Sequence, residues 1–170
     1  IDSMLTVIIP LYNEQESILI LYDKLVEELE KLKKPYEIIF IDDGSTDESL
    51  TILKEIEKQN KAVGIFSFRK NHGKAEALFL GFQEAKGDYV VTLDADLQDK
   101  PSEIKKLLEK IDSGWDLVCG WRKYRNEQSR ARRTSGGSSP HTHHSPLQGR
   151  RARAVETRRI QGSRSAVSAG

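Results

Sequence analysis

A doubly wound α/β domain with a mostly parallel sheet is predicted for this sequence by three observations. Between residues 5 and 121, short apolar β-branched runs alternate with segments whose apolar residues recur every three or four positions. The connections between them are short, as in right-handed βαβ units with helices on both faces of one sheet. Each apolar run also ends in polar or charged residues, so one rim of the sheet collects reactive groups, and in such sheets ligands bind beyond the carboxyl ends of the strands.

The elements follow in order. Leu5-Thr6-Val7-Ile8-Ile9-Pro10 reads as a first strand, and Ile18, Leu21, Leu25, Leu29 and Leu32 form the apolar stripe of a first helix. Pro35 stops that helix, and Tyr36 to Ile41 make a second strand. Ser45 or Thr46 is expected to cap a second helix, with Asp47 and Glu48 in its first turn and Leu50, Leu53 and Ile56 on its inner face. Val63 to Phe68 reads as a third strand. A third helix presents Ala75, Leu78, Phe79 and Phe82 and stops near Gly87. Tyr89 to Leu93 forms a fourth strand, about Pro101 to Ser113 a fourth helix, and Asp116 to Trp121 a fifth strand.

The net charge of +1 hides two regions. Residues 1–124 carry 17 Lys and Arg against 24 Asp and Glu, a balance of −7, whereas residues 125–170 carry 10 Arg against 2 Glu, a balance of +8. No aromatic residue follows Tyr124. So little apolar surface cannot offset chain entropy, and residues 126–170 are expected to be a disordered Arg/Ser/Gly-rich tail. Such a tail is either a basic segment for RNA or an anionic membrane, or sequence from another reading frame; the abrupt switch from Lys to Arg favours the second. The histidines of "SPHTHHSP" lack the surrounding structure that preorganises a metal site. Cys119 is the only cysteine, so no internal disulfide forms. No signal peptide is evident, and no apolar run approaches the roughly 18 to 20 residues that span a bilayer.

The strand ends read "PLYNE", "DDGSTD", "RKNHGK", "DADLQD" and "GWRK". Glu14, Asp42, Asp43, Asp94 and Asp96 cannot hold a phosphate directly, but a hard divalent cation makes such carboxylates compatible with an anionic substrate. Arg69, Lys74 and Arg122 are candidates for direct phosphate or sugar contacts. Neither "GxxxxGK[ST]" nor "GxGxxG" occurs, which disfavours a glycine-rich phosphate cradle. The combination points to a nucleoside diphosphate held through Mg²⁺ or Mn²⁺. Structural roles are expected for Asp42 (the turn before Gly44), for Asp99 (a cap of the fourth helix), for His72 (a turn) and for Leu11, Gln15 and Phe68.

"VIIPLYNEQESI", "IIFIDDGSTDESL", "NHGKAEALFLGFQEAKGDYVVTLDADLQDKPSEI" and "GWR" resemble the family 2 glycosyltransferases. More narrowly, they are similar to the branch with polyprenyl-phosphate acceptors, such as dolichyl-phosphate mannose synthases and bacterial undecaprenyl-phosphate glucosyltransferases. The likeness spans residues 4 to about 125, the N-terminal part of such a catalytic domain. It implies a Rossmann-like nucleotide-diphospho-sugar transferase fold, the A-type glycosyltransferase fold. It further implies that Pro10, Tyr12, Glu14, Asp43, Lys74, Asp94 and Arg122 bind the nucleotide sugar, Asp43 at the base. Asp94, Asp96 and Gln98 would act catalytically through Mg²⁺ or Mn²⁺.

The implied reaction is inverting transfer of a hexose from a UDP-glucose or GDP-mannose type of donor to a polyprenyl phosphate. It would run at the cytoplasmic face of a membrane for the full-length protein, with no specific nucleic acid partner. A polyprenyl phosphate is already ionised at neutral pH and needs no general base, which fits the lack of a convincing base in residues 1–124. This stretch alone is expected to be soluble and cytoplasmic, and to bind donor while transferring poorly. Two alternatives stand beside this reading: a family 2 transferase with a hydroxyl acceptor in cell-wall or capsule synthesis, and a non-catalytic nucleotide-binding fragment. A phosphoacceptor receiver domain is disfavoured, because receivers place their acidic pair after the first strand, where "LYNE" stands here.

Overall fold

The computed structural model describes residues 3–114 and the backbone of Arg158–Arg159. Four parallel strands, β1 (Leu5–Leu11), β2 (Tyr36–Asp42), β3 (Val63–Ser67) and β4 (Tyr89–Thr92), lie in the order β3-β2-β1-β4. Helices α1 (Ile18–Leu32), α2 (Ser49–Gln59) and α3 (Lys74–Glu84) make the three crossovers. A single turn of 3-10 helix at Pro101–Glu103 leads into α4 (Ile104–Asp112).

Every residue of β1 is buried, as a central strand covered on both faces requires. Val7, Ile9, Ile38, Phe40 and Val91 pack with α1, α2 and α4 on one face, and Ile8, Ile39, Ile41 and Val90 pack with α3 on the other. Thr6 is the polar exception in β1. Its hydroxyl donates to Glu37 Oε1 at 2.6 Å and accepts the Gly87 N–H at 2.9 Å, so its burial leaves no group unsatisfied. Helix α1 buries Ile18, Leu21, Leu25 and Leu29, the stripe expected from spacing.

Two expectations are corrected. The cap of α2 is not Ser45 or Thr46: the helix begins at Ser49, and those two side chains meet Asn13 in the preceding β1–α1 loop. The inner face of α3 is not set by Ala75 and Phe79. Ala77 and Gly81 face the sheet, Leu78 and Phe82 flank them half-buried, and Phe79 is 61% exposed. A Cβ on Gly81 would stand 2.4 Å from Ile8 Cγ2, so small residues decide which face comes down on β1.

The fifth strand expected at Asp116–Trp121 lies outside the described residues, as do Arg122 and all of residues 126–170 except two. Arg158 and Arg159 form a short strand, β5, paired antiparallel to Val90 and Tyr89. They lie along the outer edge of β4, whose backbone groups an extended segment can pair. No helix among the described residues is long and apolar enough to cross a membrane.

Candidate functional site

The order β3-β2-β1-β4 reverses direction between β1 and β4, since α3 carries the chain back across the sheet on the face opposite α1. Loops leaving β1 and β4 therefore diverge and leave a crevice at the strand ends. A cavity of about 280 Å³ occupies this place. Pro10, Leu11, Tyr12 and Glu14 from the end of β1 line it, with Asp43 after β2, Asn71, Gly73 and Lys74 before and at the start of α3, and Asp94 and Asp96 after β4.

Of the residues singled out in sequence, Pro10, Tyr12, Glu14, Asp43, Lys74, Asp94 and Asp96 come together here. The side chain of Gln98 is exposed and does not line the cavity; its backbone N–H donates to Asp96 Oδ1 at 3.0 Å. Arg69 is exposed and also stands outside the lining, and Arg122 lies beyond the described residues. Sequence reasoning missed Asn71 and Gly73, and gave Leu11 only a packing role. The sequence carried one pointer to Gly73, a glycine immediately before a helix.

The carboxylates are held in different ways. Asp42 is 1% exposed; its Oδ1 accepts the Ser45 N–H at 3.1 Å and its Oδ2 the Ser67 hydroxyl at 2.8 Å, fixing the turn that Gly44 completes. Asp43 is also buried, and its two oxygens accept the backbone N–H groups of His72 at 2.7 Å and Gly73 at 2.9 Å. Asp43 thereby fastens the β3–α3 loop to the end of β2 and sets where Lys74 begins its helix. Glu14 accepts the Ser17 hydroxyl at 2.9 Å. His72 tilts against Phe68, with ring centroids 5.0 Å apart.

Lys74 makes an ion pair with Asp94, whose side chain is 13% exposed. Asp99 does not cap the following helix. Its Oδ2 accepts the Asp94 backbone N–H at 2.9 Å, closing the "DADLQD" loop on itself, and the position before the 3-10 turn is Lys100. Within this loop Leu97 has φ +60°, a conformation that costs a residue with a Cβ about 1 to 2 kcal/mol. The loop is over-determined by its neighbours, and the strain falls between the two carboxylates that face the cavity and the aspartate that closes it.

Among the described residues, no three His, Cys, Asp or Glu side chains are gathered to hold an ion by themselves. The donor set still suits Mg²⁺ or Mn²⁺ arriving with a phosphorylated ligand, because such ions commonly take one or two carboxylates plus substrate oxygens and waters. Asp94 and Asp96 both line the cavity, Asp94 paired to Lys74 and Asp96 Oδ1 accepting the Gln98 N–H.

The model of the family described as Glycosyl transferase family 2 matches residues 6–165. The chain belongs to that family. Its match runs past the change of composition at residue 125. Among relatives of this family 2 chain, the undecaprenyl-phosphate 4-deoxy-4-formamido-L-arabinose transferase of Edwardsiella ictaluri is 40% identical over 131 residues, 76% of this chain and 40% of that protein. The enzyme of the same name from Pectobacterium atrosepticum is 43% identical over 114 residues, 66% of this chain and 35% of that protein. The chain thus spans two fifths or less of the length of these relatives.

Two solved structures share its fold. One is a mannosyltransferase from Pyrobaculum calidifontis in complex with GDP-Man and Mn²⁺, with a TM-score of 0.61, 24% identity, and coverage of 72% of this chain and 36% of that one. The other is Staphylococcus aureus TarS 1–349 in complex with UDP, with a TM-score of 0.61, 21% identity, and coverage of 92% and 46%. The A-type glycosyltransferase fold implied by the sequence is the fold found.

Proposed function

We propose that this chain carries the donor-binding part of an inverting glycosyltransferase that moves a sugar from a nucleoside diphosphate to a polyprenyl phosphate. The observation that carries the reading is the convergence of Tyr12, Glu14, Asp43, Lys74, Asp94 and Asp96 on one cavity at the switch point of the sheet. Tyr12 is 45% exposed at the mouth and offers a face on which a base can stack, with Glu14 and the Asp43 region beneath for its polar edge. Lys74 is the cation that meets the diphosphate. It can pass from Asp94 to a phosphate oxygen at little cost, because its side chain is half-exposed.

Asp96, with Asp94, would hold Mg²⁺ or Mn²⁺. When bound, the ion would offset charge on the departing nucleoside diphosphate. An acceptor phosphate is a ready nucleophile, and no side chain lining the cavity is needed as its base. The acceptor in the relatives' names, undecaprenyl phosphate, supports this acceptor class. With such a lipid the reaction of the full-length protein would run at a membrane surface, on its cytoplasmic face.

The test is transfer of label from UDP-glucose or GDP-mannose to undecaprenyl phosphate by the whole protein with Mn²⁺. Lipid-extractable label is the expected result. Label passing only to a water-soluble hydroxyl acceptor would overturn the acceptor class.

A further inference from the structure

Two walls of the cavity are joined by a reciprocal set of hydrogen bonds that lies outside it. In one direction, backbone N–H groups of the β1–α1 loop donate to side chains of the β2–α2 loop and of the first residue of α2: Asn13 to Ser45 Oγ at 2.9 Å, Glu14 to Ser49 Oγ at 2.9 Å, and Gln15 to Asp47 Oδ2 at 3.2 Å. In the other direction, Asn13 Oδ1 accepts the N–H of Thr46 at 2.8 Å and of Asp47 at 3.3 Å, and Gln15 Oε1 accepts that of Glu48 at 3.0 Å. Asn13 Nδ2 also donates to the Thr46 hydroxyl at 3.3 Å.

Asn13 sits between Tyr12 and Glu14, which line the cavity, but does not line it itself. It has φ +52°, in the left-handed region that asparagine tolerates better than most residues. That conformation turns the chain after β1 so that its side chain meets the β2–α2 loop while Tyr12 and Glu14 reach the cavity. The β2–α2 loop begins at Asp43, whose carboxylate holds the loop ahead of Lys74. Asn13 therefore stands at the joint between the wall bearing Tyr12 and Glu14 and the wall governed by Asp43. The two loops are also joined where the Asp43 N–H donates to the Leu11 carbonyl at 2.8 Å, but the bonds to Asn13 Oδ1 and from its Nδ2 all meet on one side chain.

We infer that Asn13 is a positioning residue: it locks the two loops into one unit, and nucleotide affinity depends on a side chain that never touches the nucleotide. The inference rests on the donor-site reading. Losing the side chain removes the bonds that meet on it and loosens the two walls relative to each other, so part of their ordering falls to the binding step. A loss of roughly tenfold in affinity is expected, about 1.4 kcal/mol.

Asn13→Gly tests this, because glycine accepts φ +52° and removes only the side chain. Asn13→Asp keeps the oxygen that accepts from Thr46 and Asp47. Amide hydrogen exchange without ligand should rise in Asn13→Gly at Glu14 and Gln15 as well as at Thr46, Asp47 and Glu48, with the rest of the sheet unchanged. Calorimetry with UDP and GDP in Mn²⁺ should show affinity falling about tenfold in Asn13→Gly and largely restored in Asn13→Asp. Faster exchange confined to Thr46 and Asp47 would overturn the inference, as would unchanged affinity in Asn13→Gly beside a wild type that binds. A wild type that binds neither nucleotide would overturn the donor reading, and with it any role of Asn13 in affinity, whatever the exchange data show.

Discussion

Gly44 is where the fold and the site depend on the same missing atom. It has φ +73°, and a Cβ there would stand 2.5 Å from the Lys70 carbonyl carbon and 2.8 Å from both Lys70 Cα and Asn71 N. These neighbours are backbone, so no rotamer change relieves the contact. Gly44→Ala would pay about 1 to 2 kcal/mol for the left-handed conformation alone. Restoring ordinary contact also requires the loop at residues 70–71 to retreat by about 1 Å. That movement would stretch the bonds from His72 and Gly73 to Asp43, now 2.7 and 2.9 Å. Hydrogen bonds to charged groups contribute about 1.5 to 3 kcal/mol each, and partial hydration of an exposed loop recovers much of this. The expected loss is about 3 kcal/mol, read by urea unfolding with an unchanged m-value. Gly64→Ala is the control, since nothing lies within 4 Å of its Cβ position, and it should change stability by no more than about 0.5 kcal/mol. If Gly44→Ala cost less than about 1 kcal/mol, the close approach of the two loops would not be what fixes Asp43.

Lys74→Ala should weaken UDP or GDP binding by about tenfold or more, the scale of one charge-assisted contact to phosphate, yet change stability by less than about 1 kcal/mol because the ion pair is half open to water. Calorimetry and urea unfolding on the same sample separate the two effects, and an equal fall in both would make Lys74 structural. The Asp47 carboxyl titrates below its ordinary value: burial opposes this, but hydrogen bonds from Ser49 and the Gln15 backbone outweigh it. Its contribution to stability is therefore complete above the unfolded-state value and is lost as pH falls through the lower folded-state value. The stability gap between wild type and Asp47→Ala should close on acidification over that window, and an NMR titration of Asp47 with an unshifted midpoint would contradict the clamp in which it sits.

Much of this fold is legible in the sequence because burial on both faces leaves a strand few choices. The runs at Leu5–Leu11 and Tyr36–Asp42 are apolar enough to read directly, and Ile18, Leu21, Leu25 and Leu29 mark one side of a helix. Helix α3 was misjudged because hydrophobicity and volume point to different faces. Phe79 fits a helical stripe, but the sheet accepts only Ala77 and Gly81 at closest approach, and a glycine inside a helical segment was the available signal. The strand ends gave most of the cavity, since a doubly wound sheet brings them to one rim. The roles of Ser45, Thr46 and Asp99 were misread for a shared reason. Each is a good cap by type, but their side chains bond across loops distant in sequence or close a turn, and local pattern does not encode such partners.

We propose that this cavity takes a nucleoside diphosphate through a divalent cation held at Asp96. It is tested most directly by titrating UDP and GDP into wild type and Asp96→Asn, each in Mn²⁺ and in EDTA. Mn²⁺ should raise the affinity of the wild type about tenfold or more for at least one nucleotide, and Asp96→Asn should lose this gain while unfolding at the same urea concentration. Equal affinity in EDTA, or a full Mn²⁺ gain in Asp96→Asn, would contradict it.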